Sequence, residues 1–225
     1  MKNKNYGILN IELVDNLIEK KRAEMLDILN QNIEGNNINS FLDIGTTEET
    51  TLKSSNYFLN KFQNIPIKKT ISDQNINSEK LTSTLKKSIT ASFTNEEITE
   101  FKSDLVISSA TIEHVGNYDN QKKMIENILK LTKKFFLITT PNRFFPIDFH
   151  TKIPFIHMLP KSIHRKILNL VGLVEYAKEE NLNLLDFYSL KQLINSQNNK
   201  DFIIKIFKIK LFGLTSNLLI LGKKK

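Results

Sequence analysis

The chain has 225 residues, with 32 lysines plus arginines against 24 acidic side chains, a formal net charge of +8. That length suits one large domain with a full core, and 40% apolar with 25% charged residues excludes disordered and fibrous classes. The absence of cysteine excludes a disulfide scaffold, a thiolate metal site and a cysteine nucleophile. No apolar run reaches the roughly 18 residues of a membrane span. The N-terminus turns acidic before any apolar stretch develops, so no signal peptide is expected. The expected location is cytoplasmic, with peripheral contact to a membrane surface left open.

The charge is lysine-rich and uneven. Only Arg22, Arg143 and Arg165 are arginines, although arginine is the preferred bidentate phosphate reader. Residues 1–100 carry 12 basic and 14 acidic side chains, whereas residues 101–225 carry 20 and 10. The plainest reading is a solvated lysine face; the other is a field that attracts an anionic small molecule. There is no N/D-P-P-Y/F tetrad and no interleaved aromatic and basic RNA-binding module, so no nucleic-acid partner is expected.

In chain order, residues 11–33 place Ile11, Val14, Ile18, Met25, Ile28 and Leu29 on one helical stripe, with Gly35 positioned to end it. Residues 1–37 are accordingly read as an N-terminal helical cap. Phe41-Leu42-Asp43-Ile44 is too short and apolar for a helix and stops at Gly45, so it is read as a strand. Residues 66–71 are a weaker strand ending at Ser72-Asp73, and a short strand is expected around Ile89. A clear strand follows at 104–108, then a helix at 119–133 and a buried strand at 135–140 closed by Pro141. Residues 141–160 hold four of the five prolines and many aromatics, so 141–172 is read as an insertion. Helices are expected at 161–171 and 187–196, and two last strands at 202–212 and 217–221. Short apolar strands alternating with helices predict a mostly parallel sheet covered on both faces, within a single domain over 1–225. The last two strands are too close in sequence for a crossover and must pair antiparallel.

In open α/β sheets ligands bind beyond the carboxyl ends of the strands, where the strand order reverses. Asp43-Ile44-Gly45 and Asp73 occupy such ends. An aspartate there is usually a turn or cap residue, but a carboxylate after the second strand also suits two ribose hydroxyls. The segments FLDIGTTEE, SDQNI, SDLVISSATIEHVGN and FFLITTPNRFFPIDFHTKIPFIHMLP occur in that order. Together they resemble a class I S-adenosylmethionine-dependent methyltransferase of the type 11-like group, over residues 38–222.

The resemblance implies the Rossmann-like fold of that class, with S-adenosyl-L-methionine as cofactor and a small-molecule methyl acceptor as partner. It implies that Asp43, Gly45 and Thr46 border the methionine end, that Asp73 holds the ribose, and that Ser108–Thr111, including Ser109 and Ala110, line the cofactor. Ser92 falls where the family often has an aspartate paired with adenine. The first loop has one glycine where the family has two or three; a cofactor without pyrophosphate tolerates that loss better than a dinucleotide does.

Methyl transfer to oxygen needs alignment and removal of a proton. His114 and His150 are candidate bases, and Glu113 is a candidate to orient them or the acceptor. Against this, a glutamate near a helix N-terminus is favoured electrostatically, and histidines in an aromatic insertion can be satisfied locally. Some quinone-ring methyltransferases bind a divalent metal through E-x-x-E-H. Here the first position is Ala110, so no metal is expected. The expected reaction is O-methylation of an aromatic, lipid-like or anionic metabolite. The competing readings are a methyltransferase-fold binding protein without catalysis, and a nucleotide-dependent oxidoreductase, which the absence of G-x-G-x-x-G disfavours.

Overall fold

The computed structural model describes residues 11–48 and 51–225. Helix α1 (Ile11–Ile33) leads into β1 (Ser40–Ile44), α2 (Tyr57–Lys61), β2 (Ile67–Ser72), β3 (Ser83–Lys86) and α3 (Asn95–Phe101). Then come β4 (Ser103–Ser109), a 3-10 turn at Ile112–His114, α4 (Tyr118–Leu131) and β5 (Thr132–Pro141). A second 3-10 turn (Ile156–Met158), α5 (Lys161–Leu170), α6 (Val174–Ala177), α7 (Phe187–Asn195), β6 (Phe202–Leu211) and β7 (Leu214–Lys224) complete the order.

The seven strands form one sheet in the order β3-β2-β1-β4-β5-β7-β6. All pairings among β1 to β5 are parallel, and only β7 runs against its neighbours. This is the expected mostly parallel sheet with a terminal antiparallel pair. Alternation along each strand divides the core. Leu42, Ile44, Val106, Phe136 and Ile138 face α4 and α7, whereas Phe41, Leu105, Ile107, Phe135 and Leu137 face α1 and α2. Both faces are apolar because both are covered. The middle strands are buried along most of their length, and their side chains are worth about 1.5–3 kcal/mol each when fully removed from water.

Four differences from the sequence reading have local causes. The strand expected around Ile89 lies at Ser83–Lys86, where edge pairing with β2 alone needs no apolar run. Ile89 is a buried loop residue in the core beside α4, whose Asn127 side chain donates to its carbonyl oxygen. The polar stretch before β4 holds α3, started by a capping box between Thr94 and Glu97. Helix α4 stops at Leu131, because Thr132 already begins β5. Finally, β6 and β7 join through Phe212-Gly213 alone, both at positive φ as a type I′ hairpin requires, so β7 starts at Leu214.

Helix α1 is tied to the loop at residues 53–54 by polar contacts. The Asp15 carboxylate accepts from the backbone N–H groups of Lys53 and Ser54, and the Arg22 guanidinium donates to the Ser54 carbonyl. Residues 142–186, between β5 and α7, build a small core of their own around Leu168, Leu173 and Ala177. No described helix is long and apolar enough to cross a membrane.

Candidate active site

The strand order reverses between β1 and β4, and a cleft opens beyond their carboxyl ends. Its volume is about 460 Å³, and its walls include Gly45, Thr46, Asp73, Gln74, Ser88 and Thr90. That is within the roughly 300–1,000 Å³ of small-molecule sites. Gly45 has a φ of 88°, and a Cβ there would stand 2.3 Å from the Thr111 hydroxyl oxygen. Only glycine allows β1 to turn that close to the segment after β4.

The loop that follows has no second glycine, and side chains hold it instead. The Ser72 hydroxyl donates to the Thr46 carbonyl over 2.7 Å, the Gln74 side-chain oxygen accepts from Glu48 N–H over 3.0 Å, and Asn56 brackets Thr47. Asp73 is exposed at the lip of the cleft. Among the described residues no hydrogen bond occupies its carboxylate, which therefore faces the cleft as a free acceptor.

Asp43 is placed differently from its neighbours. It is buried beneath the loop, accepts from the Thr46 hydroxyl, and does not line the cleft. Burial pushes its pKa up to about 6, against the pull of Thr46 and of the Arg22 charge. Ser92 is also outside the cleft: it is exposed, four residues beyond Ser88. Because β3 ends at Lys86, the following loop reaches the cleft at Ser88–Thr90 and has left it before Ser92.

A second cavity, about 160 Å³, lies on the α1 side of β4. Leu17, Ile18 and Met25 of α1 face Phe149 across it, with Lys21 and Arg22 supplying positive charge. Arg22 is half-buried, and burial lowers its pKa while Asp43 and Glu113 favour its charge. Sequence reasoning missed Arg22 as a site residue, although it lies on the apolar stripe, four residues after Ile18 and three before Met25. Ser109 lines this cavity, with its hydroxyl 3.0 Å from that of Thr139. Ala110 lines both cavities and holds a φ of 54°, with its N–H bonded to the Thr139 carbonyl. It is the wall they share.

The predicted histidines meet at that wall. His114 belongs to the cleft lining and His150 to the second cavity, with their Nε2 atoms 3.0 Å apart. His114 donates from Nδ1 to the Asn181 carbonyl over 2.7 Å. His150 Nδ1 lies 2.9 Å from the Asp148 carboxylate, which also accepts from the His150 and Thr151 backbone N–H groups and the Thr151 hydroxyl. Burial opposes ionisation of Asp148, but the His150 charge and these hydrogen bonds hold it well below the usual carboxylate range. Burial likewise opposes a charge on His150, and Asp148 and Glu113 outweigh it, so its pKa is raised.

Glu113 is wholly buried. Thr140 donates to its Oε2 over 2.9 Å, while Oε1 has no hydrogen-bond partner and lies 3.7 Å from His150 Nε2. Asn183 N–H donates to the Glu113 carbonyl over 2.7 Å, tying this turn to the segment before α7. The spacing D-x-H at 148–150 was the only local signal for the Asp148 partnership.

No family model and no curated relative matches the chain. Solved structures do, at low identity. N-methyltransferase NodS from Bradyrhizobium japonicum WM9 aligns over 93% of this chain and 98% of its own at 11% identity and a TM-score of 0.54. Magnesium protoporphyrin IX methyltransferase (ChlM) from Synechocystis PCC 6803, with bound SAH, aligns over 97% of this chain and 89% of its own, also at 11% and 0.54. A SAM-dependent methyltransferase from Archaeoglobus fulgidus aligns over 93% and 94% at 14% identity and a TM-score of 0.52. The chain has the class I methyltransferase fold.

Proposed function

We propose that the chain transfers a methyl group from S-adenosylmethionine to an oxygen of a small-molecule acceptor. The observation that carries the reading is the pair of cavities meeting at Ala110 with two imidazoles and a carboxylate at the junction. When bound, S-adenosylmethionine supplies a methyl group on a sulfonium centre, open to in-line displacement.

The cleft fits that cofactor on its own chemistry. The Asp73 carboxylate suits paired ribose hydroxyls, Gln74, Ser88 and Thr90 offer polar groups farther along, and Gly45 leaves the room that a Cβ would close. Thr46 borders the cleft directly, whereas Asp43 acts from below by fixing Thr46. Ala110 forms the wall through which the two ligands meet, whereas Ser109, expected to line the cofactor, borders only the acceptor cavity.

The second cavity supports the acceptor assignment. Its apolar sides suit a ring or a short aliphatic group, and Lys21 with Arg22 suits a negative charge on the same molecule. Holding both ligands against one wall supplies the alignment that displacement needs. His114, His150 and Glu113 stand where the acceptor oxygen must shed its proton, and we assign them to that task.

Incubation with methyl-labelled S-adenosylmethionine and a fractionated small-metabolite extract tests the reading. Label is expected in an acceptor that carries an acidic group. S-adenosylhomocysteine binding without label in any fraction would favour the binding-protein alternative, which the single-glycine loop keeps open.

A further inference from the structure

Glu113 and His114 are adjacent in sequence, and Ala110 denies them the carboxylate that an E-x-x-E-H pattern would add. The fold delivers a different third donor. His150 arrives from 36 residues downstream and points its Nε2 at the same spot. We propose that Glu113, His114 and His150 bind a divalent first-row transition cation at the junction of the two cavities. This deepens the methyl-transfer reading and rests on it for the cation's role, though not for its binding.

Three observations converge. First, one donor atom from each residue falls within 4.8 Å of the others, with edges of 3.0 Å between the imidazoles and 3.7 Å from His150 to Glu113. Ligands at roughly 2.0–2.2 Å from a common ion stand about 3.0–3.5 Å apart, so small side-chain shifts complete the site. Second, the outer hydrogen bonds orient both rings. His114 Nδ1 is committed to the Asn181 carbonyl and His150 Nδ1 to the Asp148 carboxylate. In neutral rings both Nε2 lone pairs then face one another, an arrangement that needs a positive centre between them. A carboxylate or carbonyl behind each imidazole is the usual support of a metal-bound histidine.

Third, Glu113 Oε1 is buried with no hydrogen-bond partner, although Oε2 is satisfied by Thr140. A proton shared by the two imidazoles would relieve their repulsion but leave Oε1 without a hydrogen bond. A cation meets all three demands at once. Two nitrogens and one oxygen suit zinc, manganese, iron or cobalt rather than magnesium or calcium. Three protein ligands leave at least one position free, and a hydroxyl bound there would lose its proton to water at lower pH than in solution. With the cation bound, the three side chains therefore serve the deprotonation through it rather than as direct bases.

The test is calorimetric titration of chelator-stripped full-length protein with zinc, manganese and magnesium chlorides, without any methyl donor. S-adenosylhomocysteine binding is measured on the same samples. One equivalent of zinc or manganese is expected to bind, and magnesium not. Glu113→Gln and His150→Gln should each weaken zinc binding by about 100-fold or more. Asp148→Asn should weaken it by about 10–100-fold. Each variant should keep its circular-dichroism spectrum. Zinc affinity unchanged in both ligand variants, or no metal bound by wild-type protein, overturns the proposal. Metal binding without S-adenosylhomocysteine binding upholds the cation site and removes the methyl-transfer reading.

Discussion

The two sides of Ala110 are built on opposite plans. On the cleft side, the shaping groups sit at or just beyond strand ends. Gly45, Thr46, Ser72 and Asp73 follow or close β1 and β2, and the parallel register sets them side by side. At the junction and on the acceptor side, the donors come from segments with no common register. Glu113 and His114 belong to a short turn after β4, His150 to the insertion after β5, Asn181 to the approach to α7, and Arg22 to α1. A sheet places residues automatically, whereas an insertion must be held by its own hydrogen bonds. Asp148, which gathers His150 and Thr151 through four of them, provides that hold.

The comparison can be broken from either side. The largest effect is expected at the junction: Glu113→Gln should cut methyl transfer by about 100- to 1,000-fold while S-adenosylhomocysteine affinity stays within about twofold. A matching loss of cofactor affinity would mean that the two sides are not separable. Next comes Gly45→Val, which drives a side chain into Thr111 at a φ of 88°. It should weaken S-adenosylhomocysteine binding by at least about 100-fold, close to 3 kcal/mol, and lower the melting temperature. Unchanged calorimetric affinity would show that the cleft tolerates a shifted loop.

A smaller effect concerns Asp43. Its folded pKa of about 6 lies above the ordinary 3.8, so the folded state keeps a proton that the unfolded chain has lost. Stability of the ligand-free protein should therefore fall as pH rises from about 4 to about 6, by roughly 2–3 kcal/mol, and then level off. Asp43→Asn should remove that slope and stabilise the ligand-free protein above pH 6, read as a wild-type minus variant difference in urea unfolding. A difference that does not change with pH would contradict the buried-carboxylate account. The smallest effect is Thr94→Ala, which breaks the capping box of α3. About 1 kcal/mol of stability should be lost with no change in ligand binding on either side.

The same contrast explains what could be read from the chain. Phe41–Ile44, Leu105–Ser108 and Phe135–Thr140 announce themselves as apolar runs because the central strands are buried on both faces, and Gly45 marks where the first one ends. Edge strand β3 has no such run, since alternate residues are exposed, and the four-residue error there carried Ser92 out of the cleft. The histidines were visible as residue types but not as neighbours, because their meeting depends on how 36 residues of β5 and insertion fold back. The expectation of no metal rests on a local spacing argument, which does not see a donor from another segment; the proposed cation site is its test.

The central claim is that the cleft beyond β1 and β2 holds the methyl donor, with Asp73 on its ribose. Calorimetric titration of wild-type protein and Asp73→Ala with S-adenosylhomocysteine tests it most directly. The account predicts one site with a dissociation constant of roughly 1–100 μM, weakened by about 10-fold or more in the variant. Folded wild-type protein that gives no binding heat at about 1 mM ligand, or a variant that binds as tightly as wild type, would contradict it.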